Sequence, residues 1–396
     1  MAGSPIHPVP GLRLAAAGAG IRYQGRDDLV VMELAEGGTT AAVFTRNAFC
    51  AAPVTVAREH LRKASPRYLL INSGNANAGT GDAGLTACRE TCRMLAAAGG
   101  VPMDRVLPFS TGVIGEDLPT TPFARAIPGL LAGLDESNWP AAAAAIMTTD
   151  TVPKLASRQV EIDGRTITVT GMAKGSGMIR PDMATMLAYL ATDAEVEQPL
   201  LQSMLEAAVA PSFNSITVDG DTSTNDACVL MATGASGVKV DEADSPLGRA
   251  VAEVCLELAR AIVRDGEGAT KLVEIRVEEA SSPEEARQVA YTVAHSPLVK
   301  TALFASDPNW GRILAAVGRA GVEGLEIGSV RIWLDDLCIV SGGGRDPGYT
   351  EEAGQAVMQR EAFTIRIALG RGEATARILT CDLSFEYVRI NAEYRT

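Results

Sequence analysis

The stretch GMAKGSGMIRPDMATML, residues 171–187, decides how this chain is read. Glycine and small polar residues dominate its first half; they bury little apolar surface and favour turns. Four other stretches share that composition: NSGNANAGTG (72–81), STGVIG (110–115), DGDTSTND (219–226) and RDGEGATK (264–271). Any one of them reads equally well as a tight turn or a helix cap, but five in one chain point to a site assembled from several loops. Lys174-Gly175 is not a phosphate-binding P-loop, which places its glycines before the lysine and a serine or threonine after it. Gly342-Gly343-Gly344, followed by Arg345-Asp346-Pro347-Gly348, reads as a solvent loop, and no dinucleotide-binding glycine pattern is present.

Periodic segments lie outward from these stretches. Residues 82–98 place Leu85, Cys88, Cys92 and Leu95 at helical spacing and stop at Gly99-Gly100. Residues 195–209 put Leu201, Met204, Leu205 and Ala208 on one face. Ser245-Pro246 opens another helix, and Ser282-Pro283-Glu284-Glu285 opens one as a capping box. Strand-like runs cover 67–71, 158–162, 165–171, 272–278 and 329–334, while 363–369 and 374–380 read as a hairpin about Gly370–Glu373. Strands adjoin strands as well as helices, which predicts an α/β chain in α+β layers rather than a strict βαβ succession. At 396 residues the chain is too long for one small core and suggests two lobes or one large domain.

Composition narrows the function. A net charge of −13 and a pI near 4.9 argue against a nucleic-acid partner, which needs a basic footprint, and against anionic membranes. Pro5, Pro8 and Pro10 break the start, no basic segment precedes them, and no apolar run approaches the roughly 20 residues of a span. A cytoplasmic location is expected. The seven cysteines are scattered; Cys88 and Cys92 read as small core residues, and no His or Cys nearby completes a metal site. The three histidines lie in no motif, His7 and His60 reading as surface residues and His295 as structural. Any nucleophile therefore needs a base other than histidine.

At GMAKGSGMIRPDMATML the sequence closely resembles the ornithine acetyltransferase family, the bifunctional glutamate N-acetyltransferases of arginine biosynthesis. The other glycine-rich stretches match in order, as do AIMTTDTVPK (145–154), SPLVKTALFASDPNWGRILAAVG (296–318) and YVRINAEYRT (387–396), so nearly the whole chain is covered. The resemblance implies an N-terminal-nucleophile-type αββα sandwich, of the ornithine acetyltransferase and aminopeptidase kind, with a smaller second lobe. It implies cleavage of Ala184–Thr185, giving an α chain 1–184 and a β chain 185–396 that opens on the nucleophile Thr185. Thr111 and Gly112 would form the oxyanion hole, and Thr148, Lys174, Thr185, Glu267, Asn391 and Thr396 match substrate-binding positions. The substrates implied are N2-acetyl-L-ornithine and L-glutamate, handled without a metal or bound cofactor. The assembly implied is a heterotetramer of two α and two β chains. No residue decides whether acetyl-CoA serves as a second donor.

Elementary chemistry agrees with these roles. A threonine hydroxyl is a weak nucleophile, and the α-amine released on the same residue, with a reference pKa of about 7.7–8.0, can act as its base. Thr111 and Gly112 suit an oxyanion, since glycine lets the backbone approach closely. Lys174 suits a carboxylate and Glu267 an ammonium; glycines flanking both speak against simple helix-face charges. Asn391 and Thr396 can take part only if the C-terminal tail docks. An amidohydrolase or aminopeptidase using the same threonine stays open beside the acetyltransferase, as does an uncleaved binding protein.

Overall fold

The computed structural model describes residues 5–180 and 186–393. They fall into two compact units: a larger one up to Asn214 and again over Asp221–Ile262, and a smaller one of Ser215–Gly220 and Val263 onward.

Two sheets make the larger unit. The first, in the order β1-β2-β4-β5, contains β1 (Leu12–Ala17), β2 (Leu29–Leu34), β4 (Tyr68–Asn75) and β5 (Val106–Val113); only β4 and β5 run parallel. The second, in the order β3-β9-β8-β7-β6, contains β3 (Thr39–Phe44), β6 (Lys154–Ile162), β7 (Arg165–Lys174), β8 (Leu187–Thr192) and β9 (Ala227–Ala232); only β8 and β9 run parallel. Strand alternation sends one set of side chains from each sheet into a shared layer: Met32, Ile71 and Phe109 meet Met172, Tyr189 and Val229. The opposite face of the first sheet, with Val31 and Leu70, packs on α2 (Gly81–Gly99) and α3 (Thr121–Ala132) through Cys92, Leu95, Phe123 and Ile127.

The outer face of the second sheet is covered by α6 (Pro246–Arg264) beside Gly171, and α5 (Gln198–Val209) lies on β3. Layers of helix, sheet, sheet and helix result, so β2, β4, β8 and β9 are buried along their whole lengths. Two further helices, α1 (Ala52–Leu61) and α4 (Trp139–Ala145), contribute Val54, Ala57 and Trp139 to the shared layer.

The smaller unit is one six-stranded sheet in the order β13-β12-β11-β14-β10-β15. Its strands are β10 (Leu272–Ala280), β11 (Arg331–Leu334), β12 (Leu337–Ser341), β13 (Gly344–Arg345), β14 (Ala362–Ala368) and β15 (Ala374–Cys381). Val273, Ile275, Val277, Ile332 and Ile365 face α7 (Pro283–Ala294), α8 (Pro297–Ala305) and α9 (Trp310–Gly318). On the other face, the Arg366 guanidinium lies 4.1 Å from the centre of the Trp333 ring. Two helices complete the unit, α10 (Glu351–Met358) and α11 (Phe385–Glu393).

Several expectations need correcting. Residues 363–369 and 374–380 form strands but not a hairpin: β10 lies between them, parallel to β14 and antiparallel to β15. The connection crosses the end of β10, where Glu278 and Glu279 carbonyls accept the N–H groups of Leu369, Arg371 and Gly372. Alternation identifies strands but not their neighbours, and the apolar β10 is buried best between two partners. Gly344 pairs in the short hairpin of β12 and β13 instead of lying in a solvent loop. The helix expected from residue 195 begins at Gln198, because Pro199 supplies its first turn and Glu195 is bridged to Lys239. His60 is buried, its Nδ1 lying 2.7 Å from the Val106 carbonyl, since α1 turns that face towards β5; His7 is half-buried. Half of the capping box forms, with Ser282 Oγ accepting the Glu285 N–H at 3.1 Å, while the Glu285 carboxylate accepts the Ser281 N–H at 3.0 Å instead of that of Ser282.

A Cβ on Gly171 would stand 3.0–3.1 Å from Leu190, Leu258 and Val254, closer than a packed core accommodates freely. Gly171→Val is expected to cost about 1–3 kcal/mol of stability, read as a lower urea midpoint at an unchanged m-value. An unchanged midpoint would mean that α6 yields at this contact.

Candidate active site

Four of the five glycine-rich stretches adjoin the parallel strands of the larger unit, although Asp219 and Gly220 of the fourth belong to the smaller one. NSGNANAGTG and STGVIG carry the C-terminal ends of β4 and β5; the other two precede β8 and β9. At the first pair the ladder is irregular, Thr111 pairing with both Ser73 and Asn75. Gly112 has φ +133°, and a Cβ there would lie 2.3 Å from the Gly74 carbonyl carbon. Only glycine fits that backbone and that approach.

Asparagine amides hold the loop that follows. Asn72 Nδ2 donates to the Asn75 carbonyl at 2.9 Å, Asn77 Nδ2 donates to the Gly84 carbonyl at 3.0 Å, and Asn75 Oδ1 accepts the Asn77 N–H at 2.7 Å. Buried backbone groups outside a regular ladder need such partners. The hydroxyls of Thr111 and Thr148 take up no hydrogen bond among the described residues, and so keep a donor for a ligand.

Thr148 and Lys174 meet through Asp150. One carboxylate oxygen accepts Lys154 Nζ at 2.6 Å and the Gly175 N–H at 2.7 Å. The other accepts the Thr148 N–H at 3.1 Å and lies 3.9 Å from Lys174 Nζ. Burial pushes the Asp150 carboxyl up, yet the Lys174 and Lys154 charges, with the Lys154 and Gly175 hydrogen bonds, hold it at about 2. Thr149 and Ser176 hydroxyls, 2.7 Å apart, form a second strap between the same two segments.

Asn225 and Asp226 stand immediately before β9. Asn225 is bonded to the Ser110 and Ala76 carbonyls. Asp226 is fully buried, and its Oδ2 has no hydrogen-bond partner among the described residues. Burial pushes this carboxyl well above the ordinary range, against the Ser223 hydroxyl, the Lys174 charge and the Met186 N–H.

In the smaller unit, Asn391 Nδ2 donates to Glu267 Oε2 at 2.7 Å, bringing α11 onto the RDGEGATK loop. The fit is close: a Cβ on Gly268 would lie 2.5 Å from Ser384 Oγ, which itself donates to the Gly268 carbonyl at 2.7 Å. Asp382 secures the end of the loop, accepting the N–H groups of Thr270 and Lys271 and the Thr270 hydroxyl. The tail is thus tied to the loop as far as Asn391.

The structure therefore brings together Thr148 with Lys174 in one unit and Glu267 with Asn391 in the other, and sets Thr111-Gly112 at the end of β5. Ala184, Thr185 and Thr396 lie outside the described residues. Sequence reading singled out none of Asp150, Lys154, Asn225 and Asp226. A signal existed for the last two, as a polar pair abutting the wholly apolar run 227–232. The contacts of Asp150 with Lys174 and Gly175 are visible only once β6 and β7 are paired.

Comparison with known proteins follows the same chain length. A model of the ArgJ family matches residues 13–396. The chain is 62% identical over 393 residues to the arginine biosynthesis bifunctional protein ArgJ of Methylococcus capsulatus, covering 98% of this chain and 96% of that protein. Identity to the protein of the same name from Pseudomonas fluorescens is 57% over 396 residues, covering 99% and 98%. A solved ArgJ structure from Bacillus halodurans is 38% identical and covers 52% of this chain and 98% of that one, with a TM-score of 0.49. Among the described residues no helix is long and apolar enough to cross a membrane.

Asp150→Asn removes the carboxylate that two buried lysines share. It is expected to cost about 3–5 kcal/mol at neutral pH, measured by urea unfolding. A carboxyl lowered on folding adds stability above its unfolded value of 3.8, and that stability is lost as pH falls through about 2. Acid unfolding of the variant should lack this component; an identical acid profile would show that Asp150 is not held low.

Proposed function

The chain belongs to the ArgJ family, and we propose that it moves an acetyl group from N2-acetyl-L-ornithine to L-glutamate through a threonine exposed by its own cleavage. One observation supports this most directly. An uncommitted Thr111 hydroxyl and the Gly112 backbone sit at the end of β5, which Asn225 ties to the start of β9. The neighbouring parallel strand, β8, begins two residues after Thr185.

Cleavage begins when the Thr185 hydroxyl attacks the Ala184 carbonyl. The C–N bond breaks, the hydroxyl proton passes to the departing nitrogen, and water hydrolyses the ester, leaving chains 1–184 and 185–396. The new α-amine then takes the hydroxyl proton while the oxygen attacks acetylornithine. Thr111 and Gly112 stabilise the tetrahedral oxyanion, and ornithine departs with a proton from the amine. The glutamate amine next attacks acetyl-Thr185 and the threonine hydroxyl is restored.

Lys174, with Thr148 beside it, is assigned the substrate carboxylate. Glu267, Asn391 and Thr396 are assigned the rest of the substrate, Glu267 answering the ornithine ammonium. Acetyl-CoA is proposed as a second donor, two α and two β chains as the assembly, and the cytoplasm as the location.

Purified protein given acetyl-labelled acetylornithine and glutamate should place the label on glutamate, and a denaturing gel should show two chains. Label released as free acetate would favour the amidohydrolase reading. A single full-length band that never changes would sink the mechanism. Thr185→Ala should stay whole and inactive, and Thr111→Val should lower kcat by about 10²–10³-fold.

A further inference from the structure

Regular pairing holds β5 against β4 only as far as Gly112: the ladder shifts register after Gly74, where Asn75 pairs with both Thr111 and Val113. Two carbonyls at this irregular end, Ser110 on β5 and Ala76 just beyond β4, are taken by one side chain. Asn225 Nδ2 donates to Ala76 O at 2.6 Å and to Ser110 O at 2.9 Å. The amide is itself fixed: its Oδ1 accepts the Thr224 hydroxyl at 2.6 Å, and its backbone N–H reaches Ser223 Oγ at 3.2 Å.

We propose that Asn225 is the positioning residue of the oxyanion donors, spanning the ends of β4 and β5 with both hydrogens of its amide so that Thr111 and Gly112 hold one geometry. The role rests on the acetyl-transfer reading above. Asparagine is suited to it by chemistry: a planar NH2 offers two donors from one atom, serine offers one, and aspartate would set a carboxylate against two carbonyl oxygens. Asn225 also leads into the opposite sheet, two residues before the Ala227–Leu187 register begins. The donors on β5 are thereby referred to the strand pair that begins just after the cleavage position.

Misplacing a catalytic donor by about 1 Å costs about 100-fold in rate while substrate binding is little affected. Cleaved Asn225→Asp is therefore expected to lose about 100-fold in kcat with KM within a few-fold of wild type, and Asn225→Ser is expected to fall between the two. Thermal unfolding of each variant separates this from a general loss of structure. Folded variants with unchanged kcat, or with a raised KM alone, overturn the proposal. So does a set of variants none of which folds, since the role is then structural. A wild type that moves no acetyl group overturns the function and this role together, whereas an active wild type beside an equally active Asn225→Asp overturns only the role.

Discussion

The apolar layer between the two sheets of the larger unit is the constraint on which the rest depends. Phe109 on β5 meets Tyr189 on β8 edge to face, with ring centroids 5.3 Å apart, within a layer that β2, β4, β7 and β9 also feed. Burying both inner faces leaves little freedom for strands to slide, because a one-residue slip would exchange the side chains that fill this layer with those that pack on the covering helices. The strand ends are therefore fixed where polar loops meet.

What gathers at those ends is polar and buried, so every group there needs a partner. Asn72, Asn75, Asn77 and Asn225 satisfy backbone carbonyls or N–H groups that no ladder reaches. Asp150 does the same for two N–H groups while answering Lys154. In a dry setting such charges act strongly, and Lys174, buried 3.9 Å from Asp150, lies in that setting. The Gly74 and Gly112 approach then lets the backbone at Thr111 and Gly112 lie close to its neighbour.

The smaller unit repeats the logic with one sheet and helices on one side. Its glycine-rich loop follows α6 and is tied to the C-terminal segment by Ser384 and by Asn391 of α11.

The sequence by itself determined the family, the helix starts at Ser245 and Ser282, and most strands. These follow from short-range chemistry: periodicity, caps, and motifs long enough to be specific. Tertiary structure alone decided that β10 separates β14 from β15, that His60 is buried, and that Asp150, Asn225 and Asp226 stand at the site. Strand neighbours and buried polar partners are set by which surfaces exclude water together, and residues as far apart as Ser110 and Asn225 carry no local mark of the hydrogen bond that joins them.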